Sequence, residues 1–98
     1  MPKVCYKIKN SATETTLKKL GFKKIEGGYA RTIKCYDWEC IEKEEIAIHG
    51  KDKIIRYGRR KEWHTKNVYD WKTYADIELV RMHISDLIQL GLVEETAL

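Results

Sequence analysis

The chain has 98 residues, 43% of them hydrophobic and 10% aromatic, with a formal net charge of +4. That size and composition predict one globular domain able to bury a core without staples, and exclude a disordered or multidomain chain. No apolar run reaches the roughly 18 residues of a membrane span, and Met-Pro-Lys-Val-Cys-Tyr-Lys lacks the apolar block of a signal peptide, so the reading is a cytoplasmic protein with no membrane partner.

The charge is segregated: +7 over residues 1–34, −4 over 35–50, +5 over 51–66 and −4 over 67–98. Alternating blocks of this kind can pair across a sheet, or simply solvate its faces. Val4-Cys5-Tyr6-Lys7-Ile8 reads as a first strand, with Val4, Tyr6 and Ile8 on one face and Cys5 a small buried hydrophobe. Asn10 or Ser11 then caps a short helix through the capping box Ser11-Ala-Thr-Glu14. Leu17 and Leu20 give that helix its buried edge, and Gly21-Phe22 ends it as a Schellman motif.

Residues 22–26 and 29–36 form a hairpin about Gly27-Gly28, the pair that supplies positive φ angles. Asp37 to Glu45 is ambiguous between a helical turn and a strand, and a strand from about 38 to 49 is favoured. A turn at Gly50-Lys-Asp52 leads to a strand from Lys53 to Tyr57 that Gly58 ends. Arg59 to Glu62 is expected as an exposed loop, and Trp63 to Trp71 as a final edge strand.

The strongest periodic signal is residues 73–93, where Ile77, Val80, Ile84, Leu87 and Ile88 form one apolar helical stripe. Thr73 with Asp76 would start that helix, and Gly91 with Leu92 would close it. His83 would shoulder the core. The predicted order, β-α-β-β-β-β-(β)-α, makes an α+β fold: a two-layer sandwich of a mostly antiparallel four- to five-stranded sheet with a short N-terminal and a longer C-terminal helix on one face.

Cys5, Cys35 and Cys40 are an odd number with no export signal, so reduced thiols are expected. Cys35-x4-Cys40 with His49 and His64 fits no standard zinc spacing, and no metal or cofactor is assigned. Asp37, Glu39, Glu44 and Glu45 with Lys53 do not fall in the order of a metal-dependent nuclease. No phosphate loop, dinucleotide fingerprint or nucleophile elbow is present, so no catalytic residue is assigned. The candidate binding residues are Arg56, Tyr57, Arg59, Arg60, Lys61, Trp63 and Lys66, cations and aromatics about a glycine that would suit phosphates and stacked bases. The bland alternative is an edge protected by charge with a Trp anchoring the core.

Leu17-Lys-Lys-Leu-Gly-Phe22, the Lys/Tyr-rich hairpin after it, and Ile84-Ser-Asp-Leu-Ile-Gln-Leu-Gly-Leu-Val-Glu94 resemble small uncharacterised proteins encoded by phages and prophages of low-GC Gram-positive bacteria. The resemblance rests on helix-end and core residues over most of the chain and carries over no site residue. It implies an accessory gene product that inhibits a host enzyme or a defence system by binding. The expected function is therefore a non-catalytic protein, monomer or homodimer, that binds and modulates a host protein such as a CRISPR–Cas effector. The alternative is a small nucleic-acid-binding module using residues 51–66.

Overall fold

A computed structural model describes residues 4–63, 66–72 and 77–97. Among these residues seven antiparallel strands form two sheets, with three short helices between strands, an α+β architecture. β1 (Val4–Ile8) pairs with β7 (Val93–Ala97), Val4 opposite Ala97 and Ile8 opposite Val93. The second sheet runs in the order β2 (Lys23–Ile25), β3 (Gly28–Cys35), β4 (Glu42–His49), β5 (Ile55–Trp63), β6 (Lys66–Lys72). Among the described residues no helix is long and apolar enough to cross a membrane.

Local signals placed several ends correctly. α1 (Glu14–Lys19) closes as expected: Phe22 N–H donates to the Leu17 carbonyl (3.0 Å), Gly21 N–H to that of Lys18 (3.1 Å), and Gly21 has φ +91°. Gly91 (φ +69°) and Leu92, whose N–H reaches the Leu87 carbonyl (3.0 Å), repeat the motif. Cys5 is buried and free. The N-cap of α1, however, is Thr13, not Asn10 or Ser11: Thr13 has the extended backbone a cap needs, and its hydroxyl accepts from Thr16 N–H. The β2–β3 loop is Glu26-Gly27 and not Gly27-Gly28, since Ile25 pairs with Gly28. Gly28 is the first residue of β3, where any Cβ would collide with the Ile48 carbonyl of β4.

Three other expectations fail, the last two for non-local reasons. The strand expected from 38 begins at Glu42, because residues 36–41 form a closed loop. The loop expected at 59–62 is strand: Gly58 does not end β5, which runs on to Trp63 between two neighbours. The single C-terminal helix is two, α2 (Ile77–His83) and α3 (Ser85–Gln89), broken at Ile84 (φ −123°, ψ 20°). Arg31 of β3 explains the break. Its Nη2 donates to the His83 carbonyl, taking that group out of the helical ladder, while Nη1 donates to the Leu20 carbonyl at the end of α1. The caps expected at Thr73 and Asp76 lie outside the described residues.

One hydrophobic cluster holds the molecule together. Ile46 and Ile48 of β4 and Ile55 of β5 share a face with the partly buried Tyr57, and pack with Tyr6, Leu17, Phe22, Val80, Ile84 and Leu87. Ile88, expected in the stripe, is exposed after the break. Arg31 also pairs with Asp86 (2.7 Å), and its hydrogen bonds hold that carboxyl below the usual range. A depressed carboxyl contributes stability fully present above its unfolded pKa, roughly 3.9, and lost as pH falls through the folded value. Urea midpoints of Asp86→Asn should therefore match a less steep loss than wild type below about pH 4. Identical slopes would remove Asp86 from the acid response.

Candidate functional site

The structure divides the seven candidate residues between two faces of the larger sheet. Tyr57, Arg59, Lys61 and Trp63 alternate on the face that carries Ile46 and Ile48; Arg56 and Arg60 point to the other. Lys66, opposite Trp63 in register, lies at the exposed start of β6. They do not form a loop cluster.

Three of the seven serve the fold. Arg56 pairs with Asp52 (3.0 Å) and donates to the His49 carbonyl, bracing the β4–β5 turn. Tyr57 lies nearly parallel to His83, with ring centroids 6.1 Å apart, and its hydroxyl donates to Glu44. Burial and that carboxylate push its pKa up to about 12. Arg60, read from sequence as exposed, is 6% exposed and sits against Glu45 at 0%. Its Nε donates to Glu45 Oε2 (2.8 Å), which also accepts from Trp71 Nε1 (3.0 Å), and Nη1 pairs with Glu62. Burial works against the guanidinium's charge, but Glu45 and Glu62 outweigh it and keep the pKa raised.

The exposed remainder gathers at the end of the sheet where β3 leaves and β4 begins. Arg59 lies 4.2 Å over the Tyr36 ring and 3.6 Å from Glu42; Lys61 lies 5.4 Å over Trp63. The Tyr36 and Tyr57 hydroxyls both donate to Glu44, which lowers its carboxyl pKa. Beside them is the 36–41 loop. Cys35 and Cys40 are joined by a disulfide, Cα atoms 4.9 Å apart, which corrects the expectation of reduced thiols. Inside the ring the Asp37 carboxylate accepts the N–H groups of Glu42, Ile41 (2.9 Å) and Glu39 (3.1 Å), which lowers its pKa. At the tip Trp38 is 100% exposed. Trp38, Ile41, Lys61 and Trp63 line one groove of about 430 Å³ with Asp37 and Glu42.

Sequence reasoning did not single out Trp38 as a candidate residue. The available signal was Cys-Tyr-Asp-Trp-Glu-Cys, a ring with a turn-forming Asp two residues after its first Cys. The two described histidines are not gathered into one centre. His49 packs on Trp71 (4.9 Å) and Tyr69 (5.5 Å) on the face of Arg60, His83 on Tyr57 of the other, and His64 lies outside the described residues. Among the described residues no group of three His, Cys, Asp or Glu is placed to hold a metal. Compared with protein-family models, with curated proteins and with solved structures, the chain matches none.

Proposed function

We propose that the protein is a non-catalytic accessory protein that docks on a protein partner through the end of the sheet bearing Trp38 and Trp63, and modulates it. The observation that carries this reading is a wholly exposed Trp held in a loop closed by a disulfide and by three hydrogen bonds to Asp37. A rigid aromatic anchor loses little entropy on binding, and Trp, Tyr and Arg dominate interface hot spots. Arg59 stacked on Tyr36 and Lys61 over Trp63 supply the polar surround. The resemblance to phage accessory proteins makes a host protein, such as a CRISPR–Cas component, the partner to test first. The layering read from sequence, helices on one face of the sheet, belongs to the same proposal. The nucleic-acid alternative is weakened because Arg56, Arg59 and Arg60 each face a carboxylate.

The test is capture of partners from a host lysate by wild type and by Trp38→Ala/Trp63→Ala. Retention of a stoichiometric protein should fall at least tenfold in the variant, with its melting temperature unchanged. Labelled DNA and RNA should bind no tighter than about 10⁻⁴–10⁻⁶ M near ~150 mM salt. Full retention by the variant, or a sub-micromolar nucleic-acid complex dependent on Arg59 and Trp63, would overturn the proposal.

A further inference from the structure

The outermost strand of the larger sheet raises a question separate from the Trp38 surface. β6 is an edge, and no described strand pairs with its outer side. Residues 66–70 are exposed on both faces, Val68 at 56% and Tyr69 at 51%. The opposite edge is partly covered by β2, only three residues long. A bare edge with apolar residues at its centre is a template for another strand.

We infer that β6 pairs antiparallel with β6 of a second copy, Val68 opposite Val68. Charge complementarity selects both the occupant and the register. Centring on Val68 sets Lys66 opposite Asp70 twice, and Asn67 opposite Tyr69. Centring on Tyr69 instead sets Lys66 opposite Lys72, and centring on Asp70 opposes the two carboxylates. Within one chain Lys66 and Asp70 lie four strand positions apart, roughly 13 Å, so neither answers the other there. Residues directly opposite in an antiparallel ladder point to the same face, and the two-fold axis therefore stands perpendicular to the sheet. Two five-stranded sheets become one of ten strands, with the Trp63 and Val68 surfaces of both copies on the same side. That arrangement offers a dimeric partner two contacts at once.

Sedimentation equilibrium of the full chain should show a reversible monomer–dimer exchange. Lys66→Glu, which faces Asp70 across the axis, should weaken the dimer about tenfold or more, and Lys66→Glu/Asp70→Lys should restore it. Rescue by the charge swap is not a property of a merely structural residue. Circular dichroism checks folding; should a variant fail to fold, dimerisation of the wild type must still weaken as salt rises. A monomer at every concentration up to about 1 mM overturns the inference, being weaker than any specific pairing proposed here. So does a dimer indifferent to the swap and to salt, or open-ended growth beyond two copies.

Discussion

Arg60→Ala is expected to lower the unfolding free energy by about 3–5 kcal/mol, although the residue belongs to a basic stretch that reads as surface. Glu45 is fully buried, and its Oε2 is shared by Arg60 and Trp71 while Oε1 has no hydrogen-bond partner among the described residues. Removing Arg60 leaves a carboxylate out of water with one indole N–H for support. Glu45→Ala should cost less, about 2–3 kcal/mol, because Arg60 keeps Glu62 at the half-exposed rim. Glu45→Leu/Arg60→Met removes both charges at similar volume and should lie within about 2 kcal/mol of wild type, less the lost Trp71 bond. Urea denaturation of the three variants gives the comparison. If Arg60→Ala costs under about 1 kcal/mol, the pair is not shielded from water as the geometry requires.

The second large effect is in the helices. Leu87 and Ile84 are both fully buried, so truncation of either to Ala should cost about 2–5 kcal/mol, transfer and cavity terms together. Met82 is exposed two positions before the break, and Met82→Ala should stay within about 0.5 kcal/mol. His83→Ala, losing its packing on Tyr57, should fall between. A larger loss at Met82 than at Leu87 would reverse the buried face.

What could be read from the sequence depended on how far apart the deciding residues were. Gly21-Phe22 and Gly91-Leu92 ended helices correctly because a Schellman motif is settled within six residues. Leu87 and Ile84 were legible because a helical stripe is periodic. The break at Ile84 was not, since its cause is Arg31, more than fifty residues earlier. β5 failed for a related reason. Arg59-Arg60-Lys61-Glu62 carries no apolar alternation, and its pairing with β4 on one side and β6 on the other makes it a strand. Trp38 was hidden by composition, since a lone Trp reads as core until the ring that presents it is seen.

The small sheet has a consequence in time. β1 and β7 join residues 4 and 97, whereas the β4–β5 turn joins Ile48 to Ile55. Closing a loop of about ninety residues instead of about six costs roughly 2.4 kcal/mol more chain entropy, at about 0.6 for each doubling. The turn-linked strands can assemble before that cost is met, and β1–β7 follows once they provide something to close upon. By the same reasoning it opens first. Tyr6, Ile8 and Val93 lie on these two strands against the central cluster, so their brief parting exposes the interior from one side while the five-stranded sheet stays whole. Amide exchange of Lys7 and Glu94 against Ile46 and Ala47 is where that order becomes visible.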